Sequence, residues 1–516
     1  MREYIVALKK GVDYEQFWQE MENHTRNITA VPDRRVDIVN ERPLSLRSCH
    51  YALDDSEAER LRLDPRVLTV EIPPQQRDDI EIAHLASQTG DWLKSSSVNP
   101  TNPAAINWGL FRLNSNTNNT ASASGQGVYN YPLDGSGVDV VIQDGGITPD
   151  HPELADSQGV SRVQKINWYT SSGVPGIQPA DNLFYADRDG HGTMCAGIVA
   201  GRTYGRAKNA RIYSQTVDGL NGSGTDGMPV SDLFDTIKGW HLNKPIDPVT
   251  GYRRPTVVNM SWGYVSTFSG ITGGNYRGTD WVGTNKRADY GMIGDALNRY
   301  GTRVISVDVD VDELLDAGVI LVGAAGNYSQ KIDLGIGDDY DNYFINNNVN
   351  TRYYMRGSTP TSTPGVICVG AIGTGSDPEQ RASYSDAGPR IDVWAPGSGI
   401  ISSMSNPNRF GATTFQPGTQ YLIGALNGTS FSCPNVAGVV AQLLQVHPTA
   451  TPNQMVNLLS ALSAKNVIFS TGSTTDYSDT TSLLGAPNQY CYMPYNSADS
   501  FQVQGAVAFV NLGVTA

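Results

Sequence analysis

The sequence predicts an α/β protein: a three-layer domain built on a parallel sheet, preceded by a small α+β unit and followed by a short β and loop extension. Three observations predict it. Between residues 106 and about 465, short apolar runs alternate with helix-patterned segments, as a parallel sheet covered on both faces requires. Between 77 and 105, Ser, Thr, Asn, Gly and Pro displace that periodicity. The length, 516 residues, exceeds what one small core needs.

The elements follow in order. In residues 1–76, Tyr4-Ile5-Val6-Ala7-Leu8 reads as a strand, and Asp13 to Met21 has helical spacing of Phe17 and Met21. Val36 to Val39 reads as a second strand, and Ser56 to Leu63 as a surface helix. Val67 to Ile72 is a strand stopped by Pro73-Pro74. Residues 77–105, with Gln88-Thr89-Gly90, Ser95-Ser96-Ser97 and Asn99-Pro100-Thr101-Asn102-Pro103, have linker chemistry, and a domain boundary is placed there. In residues 106–465, strands are expected at Val138–Ile142, Val257–Met260, Val319–Ala325 and Gly365–Gly370, with helices from His191 to Ala200 and from Ser430 through Val446. Residues 466–516, rich in Ser, Thr and Tyr, read as a β or loop extension.

Bulk properties exclude several function classes. The net charge is −14 with 17% charged residues, which argues against nucleic acid as a partner. Five cysteines, at 49, 195, 368, 433 and 491, form neither a disulfide framework nor a zinc pattern. No apolar run reaches the roughly 20 residues of a membrane span. The N-terminal apolar stretch is too short for a signal peptide. The expected location is intracellular or within a larger particle, and secreted only if a leader is missing.

Three segments supply the parts of an acyl-transfer hydrolase, which needs a nucleophile, a base, a carboxylate to orient the base, and oxyanion donors. Asp144 sits just past a buried strand, where functional groups of parallel sheets gather. His191, in Asp189-Gly190-His191-Gly192-Thr193, begins a helix. Ser430, in Asn427-Gly428-Thr429-Ser430-Phe431-Ser432, sits at a helix start, where free N–H groups favour nearby negative charge. Taken singly, each has a plainer use: a turn Asp, a core His, a helix-capping Ser.

Together these segments resemble the Asp, His and Ser motifs of the subtilases, in subtilase order; chymotrypsin-like enzymes and α/β-hydrolases run differently. The resemblance implies a serine endopeptidase with a subtilisin-like fold and the triad Asp144, His191 and Ser430. Ala324-Ala325-Gly326-Asn327 resembles the family's oxyanion motif, which implies Asn327 as a donor with the Ser430 N–H, and Ala325 and Gly326 as substrate-binding. Ser261-Trp262-Gly263 resembles the strand that pairs with substrate backbone. Tyr4-Ile5-Val6 and residues 58–71 resemble the inhibitor-like (I9-type) propeptide, and Ile106-Asn107-Trp108-Gly109-Leu110 the start of a mature domain. The implied partners are a protein or peptide substrate and the chain's own propeptide in cis, with a maturation site in the linker. No cofactor is required for the chemistry.

Some features depart from the pattern or stay open. Cys195 and Cys433 lie near the catalytic motifs: either both are small buried residues, or Cys195 confers the mercurial sensitivity that the proteinase K branch suggests. Asn435 stands where many relatives have His. Segments 270–302 and 329–355 look like insertions, the second a candidate rim of the substrate cleft. Asp308-Val309-Asp310-Val311-Asp312 lacks the glycine and final Glu of an EF-hand and reads as a charged helix, while Asp338-Asp339-Tyr340-Asp341 reads as a solvated loop. The resemblance implies structural calcium, for which no ligands are assigned. The sequons at Asn259, Asn327 and Asn427 fall within core motifs and are discounted as glycosylation sites. A second functional class is a structural protein, such as a phage virion component, carrying a latent subtilase domain.

Overall fold

The computed structural model of the protein describes residues 1–493, except 24–29, 41, 43, 78–80, 85, 88–93, 95–96, 123–128, 130, 132, 221–225, 284–286 and 376. Parts of the expected linker, Gln88-Thr89-Gly90 and Ser95-Ser96 among them, and residues 494–516 of the expected extension lie outside the described residues.

The central sheet has nine strands in the order Ala464–Lys465, Gln489–Tyr490, Val393–Pro396, Ile367–Ile372, Ile320–Ala324, Thr256–Met260, Asp139–Asp144, Arg211–Thr216, Val163–Gln164. All neighbours are parallel except the first pair. Alternation along each strand splits the core into two layers. Val140, Ile142, Val257, Ile320 and Val322 face helices His191–Ala200 and Thr429–Val446. Val141, Val258, Met260 and Leu321 face helices Trp168–Ser172, Val230–Asn243 and Ile305–Asp316. This is the three-layer α/β arrangement that alternating strands and helices predicted.

The N-terminal unit is a four-stranded antiparallel sheet, ordered Ile38–Asn40, Ser48–Leu53, Arg2–Leu8, Val67–Glu71, with helices Tyr14–Asn23 and Asp55–Arg62. Its core is Tyr4, Val6, Leu8, Phe17, Met21, Tyr51, Leu53 and Leu61. The second helix opens with a capping box between Asp54 and Glu57. The Ser48–Leu53 strand was not foreseen: Ser48, His50 and Tyr51 are all buried, so no polar-out alternation marks it.

This unit docks on helices Val230–Asn243 and Ile305–Asp316 through charge. The Arg42 guanidinium lies 2.8 Å from Asp235 and 3.2 Å from Asp310, all of these side chains at most 3% exposed. Arg47 pairs with Asp312 at 2.7 Å, and Lys10 with Asp312 at 3.1 Å. The Glu71 carboxylate accepts from the Ile305 and Ser306 N–H groups, at 3.1 and 3.4 Å, where the second helix begins. Beyond the Val67–Glu71 strand, two short strands cross the central domain. Glu81–His84 pairs with Trp262–Thr267, and Ala86–Ser87 with the end of Leu422–Gly428.

The two insertions share a sheet: Ile271–Tyr276 and Thr279–Val282 from the first join Tyr343–Asn346 and Asn350–Tyr353 from the second in one antiparallel sheet. One expectation is corrected by burial and pairing. Asp339 is not in a solvated loop but fully buried. Burial pushes its carboxyl up, but pairing with Arg277 at 2.6 Å and Lys331 at 2.5 Å outweighs that and holds it down at about 2. Residues 464–493 belong to the main core: Ile468, Tyr477, Leu483, Leu484, Tyr490 and Met493 pack into it.

Candidate active site

Asp144 is the last residue of its strand rather than just past it. Both carboxylate oxygens lie 2.9 Å from His191 Nδ1, and Gly145 N–H donates to Oδ1 at 2.7 Å. Histidine and aspartate are fully buried, so their interaction is little screened. His191 opens its helix after Gly190, whose φ is +94°. The approach of that helix to the strand end needs glycine at 192, because a Cβ there would stand 2.0 Å from Gly146 O. Asp187 caps the same turn, accepting from Gly190 N–H and Thr193 N–H at 2.8 Å each. Burial, then neighbouring Asp189, pushes the Asp187 carboxyl up to about 7.

Ser430 lies in the first turn of Thr429–Val446, where no helical carbonyl reaches its N–H. Its hydroxyl donates to Ser261 O at 3.2 Å, and Ser261 Oγ donates back to Ser430 O at 2.9 Å. Cys195, one turn below His191, bridges base and nucleophile segments: Sγ is 3.9 Å from His191 Nδ1 and 3.5 Å from Ser430 O. The Phe431 ring stands 5.5 Å from the imidazole.

Asn327 follows the Ile320–Ala324 strand. Its Oδ1 accepts from Thr429 N–H at 2.9 Å and Thr429 Oγ1 at 3.0 Å. Its Nδ2 is buried with no hydrogen-bond partner among the described residues, a donor held ready for an acceptor. Gly326 N–H donates to Thr429 Oγ1 at 3.2 Å. Gly326 has φ +127°, and a Cβ there would stand 2.1 Å from Asp386 Oδ2. Ala325 is buried, its N–H on Val369 O. Trp262 and Gly263 pair by backbone with His84 and Ala83, whereas Ser261 stands before that strand and donates to Ser430 O; the Trp262 indole turns into the core and donates to Gln143 Oε1 at 3.0 Å.

Three residues escaped the sequence reading. Thr429 stands inside the quoted Ser motif, but its grip on Asn327 does not show in the motif. Asp386 Oδ1 accepts from Tyr328 N–H and Gln330 N–H, at 2.9 and 2.8 Å, one on each side of the oxyanion turn's end. Tyr384 OH accepts from Gly428 N–H at 3.1 Å, and Tyr384 O from Ser329 N–H at 2.9 Å. Segment 384–386 thus ties the Asn327 turn to the Ser430 turn.

Asp144, His191 and Cys195 offer three ligand atoms within 4.8 Å of one another. As a metal centre the set fits poorly, because burial drives the Cys195 thiol well above its ordinary range and Nδ1 already faces the carboxylate. The Asp308–Asp312 acids fit calcium no better. Asp308 pairs with Arg303 and accepts from Thr359 and Thr363 hydroxyls, Asp310 pairs with Arg42, and Asp312 with Arg47 and Lys10. Asn259, Asn327 and Asn427 are buried, and Asn435 holds Pro396 O, Phe431 O and Asn107.

Comparison with known proteins gives four findings. The model of the subtilase family matches residues 135–485. An extracellular serine proteinase of Thermus sp. (strain Rt41A) is 27% identical over 428 residues, 83% of this chain and 73% of that protein. A cuticle-degrading serine protease of Arthrobotrys oligospora is 25% identical over 389 residues, 75% of this chain and 68% of that one. Among solved structures, a cold-adapted subtilisin-like serine proteinase aligns with 23% identity and a TM-score of 0.46, covering 75% of this chain and 97% of that one.

Proposed function

The chain belongs to the subtilase family and is a serine endopeptidase, and from that premise we propose that Ser430, His191, Asp144 and Asn327 carry its chemistry. The buried Asp144–His191 pair at 2.9 Å, beside the Ser430 turn, is the observation that supports this most directly.

Ser430 Oγ attacks the carbonyl carbon of the scissile bond while His191 Nε2 takes its proton. Asp144 fixes the tautomer by holding Nδ1–H, and stabilises the imidazolium that forms. The oxyanion meets the Ser430 N–H and Asn327 Nδ2, both fixed before substrate arrives. His191 then gives its proton to the departing amine, leaving an acyl ester on Ser430 that water hydrolyses by the same steps in reverse. No cofactor takes part. Structural calcium of the kind the family uses has no assigned ligands here, and the acidic runs already pair with Arg and Lys.

The substrate is a protein or peptide. Its backbone lies along Ser261-Trp262-Gly263, with Ala325 and Gly326 opposite, a pairing that adds affinity with little demand on sequence. Residues 1–76 act as an inhibitory propeptide in cis, 77–105 as the linker that is cut, and 106–465, with 466–493 packed into its core, as the peptidase domain. The docking of Arg42, Arg47 and Glu71 on the central domain supports that role.

The test is the full chain beside Ser430→Ala, followed by intact mass and by digestion of an unstructured protein. The wild type shortens itself and digests; the variant does neither. A wild type that stays whole and inert, even with residues 1–76 removed, rejects the reading.

A further inference from the structure

We propose that a cavity at the end of the central domain remote from Ser430 is a binding site for a small organic acid, a single carboxylate on an apolar body. The cavity measures about 320 Å³, the size of a small-molecule site. Three parts of the chain wall it: the last turn of Val230–Asn243 with the hairpin that follows, the turn at Ala317-Gly318, and the connection between helices Thr429–Val446 and Pro452–Leu462. The hairpin is tied on itself: Ile246 bridges Arg253, and Asp247 N–H donates to Tyr252 O at 3.0 Å. Leu444, in the wall, and Ser430 stand near opposite ends of one 18-residue helix, roughly 20 Å apart along its axis, so the cavity is separate from the catalytic cleft.

Its two basic side chains both offer donors. His241 lines the cavity and is only 8% exposed. Thr256 Oγ1 takes a hydrogen from Lys244 Nζ at 2.5 Å, so its own hydrogen goes to His241 Nδ1 at 2.8 Å, and the ring proton stays on Nε2. That Nε2–H has no partner among the described residues, and a buried donor without an acceptor is matched by one on a ligand. Burial, then Lys244 and Arg253, holds the imidazole down at about 3, so it acts as a neutral donor. Arg253 places Nε on Leu242 O at 3.0 Å and keeps both amino groups for a carboxylate.

Charge selects an anion. No acid lines the cavity, in a chain whose net charge is −14. Asp139, on the far side of Lys244, is held by Lys244 and Arg254 at 2.6 Å each. Three helices end on this face, and a helix C-terminus disfavours an anion. Carbonyls of their last turns are already engaged: Leu242 O by Arg253, His241 O by Lys244 N–H at 3.3 Å, Leu315 O by Gly318 N–H at 2.9 Å and Leu443 O by His447 N–H at 2.8 Å. The full guanidinium charge outweighs the partial charge that remains. The walls select the body. Leu242 and Ile246 are 43% and 54% exposed, and Leu444, Pro448 and Ala450 complete an apolar lining. An inorganic anion leaves these side chains uncovered; a phenyl or isobutyl group covers them.

The test is calorimetric titration of phenylacetate into full-length Ser430→Ala, which keeps Glu81–His84 along Trp262–Val265 and so denies the probe an open catalytic cleft. One phenylacetate is expected to bind per chain, with a Kd of about 1 mM or tighter. Phenylacetamide, which has the same shape without the charge, is expected to bind about tenfold or more weakly, and so is phenylacetate to Arg253→Gln. Thr449→Trp, which sets an indole at the mouth of the cavity, is expected to abolish binding. Circular dichroism and Tm check that both variants fold, and either one that does carries the test. No binding at about 10 mM phenylacetate, equal affinity for the amide, or unchanged affinity in a folded variant overturns the inference. So does inorganic phosphate binding as tightly as phenylacetate, because the apolar walls would then play no part.

Discussion

The side-chain oxygen of Asn327 accepts from the Thr429 backbone N–H at 2.9 Å, so the residue next to the nucleophile decides which way the oxyanion amide points. With Oδ1 fixed, Nδ2 is turned to the place where negative charge develops. Asn327→Ala is expected to lower kcat about 10²–10³-fold with little change in KM, the size of the loss that a subtilisin suffers when the same kind of donor is removed. Thr429→Val keeps the N–H but removes the hydroxyl that Asn327 and Gly326 share, and is expected to lower kcat less than Asn327→Ala. Steady-state kinetics on a peptide substrate separate the two; an unchanged kcat in Asn327→Ala removes it from the oxyanion site.

Asp144→Asn keeps the shape of the pair with His191 but favours the wrong tautomer. The expected loss in kcat is about 10⁴-fold, with folding intact by circular dichroism. A loss under tenfold would mean that another group orients the imidazole.

Cys195 is buried, and burial drives its thiol well above the ordinary range, so alkylating agents that need thiolate are expected to react slowly. A mercurial small enough to reach it would sit 3.9 Å from where His191 Nδ1 now lies and disturb the base. Peptide cleavage by the wild type is expected to stop on mercurial treatment and that of Cys195→Ser to continue. Equal sensitivity of the two proteins assigns the effect to another thiol.

Asp386 is pushed up to about 7 by burial, against the lowering influence of the Gln330 and Tyr328 N–H groups. Its folded pKa stands above the roughly 3.9 of an unfolded chain. The folded state therefore holds the proton more tightly; that stabilisation is complete below about pH 4 and is lost as pH rises through 7. Asp386→Asn keeps the accepting oxygen and does not titrate, so from pH 5 to 8 its Tm is expected to fall less than that of the wild type. Asp386→Leu orphans both N–H groups and is expected to cost about 1–3 kcal/mol at either pH. Parallel Tm-against-pH lines for wild type and Asp386→Asn would contradict the shift.

Arg42 stands between Asp235 and Asp310 with its charge buried. Arg42→Met leaves two carboxylates facing each other without a cation, at a cost of about 3–5 kcal/mol. In a Ser430→Ala background, the N-terminal unit is expected to unfold or detach first, seen as early tryptic release of residues 1–76. An unchanged release rate would shift the weight of docking to Arg47 and Glu71.

How much of this was legible depended on whether a feature is local. Asp144, His191, Ser430 and Asn327 stand in short stretches whose glycines and flanking strands identify them without knowledge of the fold. The helices His191–Ala200 and Thr429–Val446 followed for the same reason. Asp386 lies in Ser-Asp-Ala-Gly, which reads as a turn, and its partners are more than 50 residues away. Asp339 read as solvated because its neighbours are acids; the cations that bury it include Arg277, from the other insertion. Residues 81–87 read as linker because pairing with distant strand ends leaves no period in so short a segment.

The end of the described chain has a consequence for the sheet it closes. Tyr490 pairs with Trp394, Cys491 N–H donates to Trp394 O at 2.8 Å, and the Tyr490 ring packs under the Arg112 guanidinium, itself paired with Glu379 at 2.6 Å. Without residues 466–493, Val393–Pro396 would become an exposed border of a long parallel sheet, its backbone groups unmatched and Trp394 uncovered. Such a border is a template for a second molecule. A chain shortened at 465 would therefore lose solubility through self-association, although every catalytic residue would still be present.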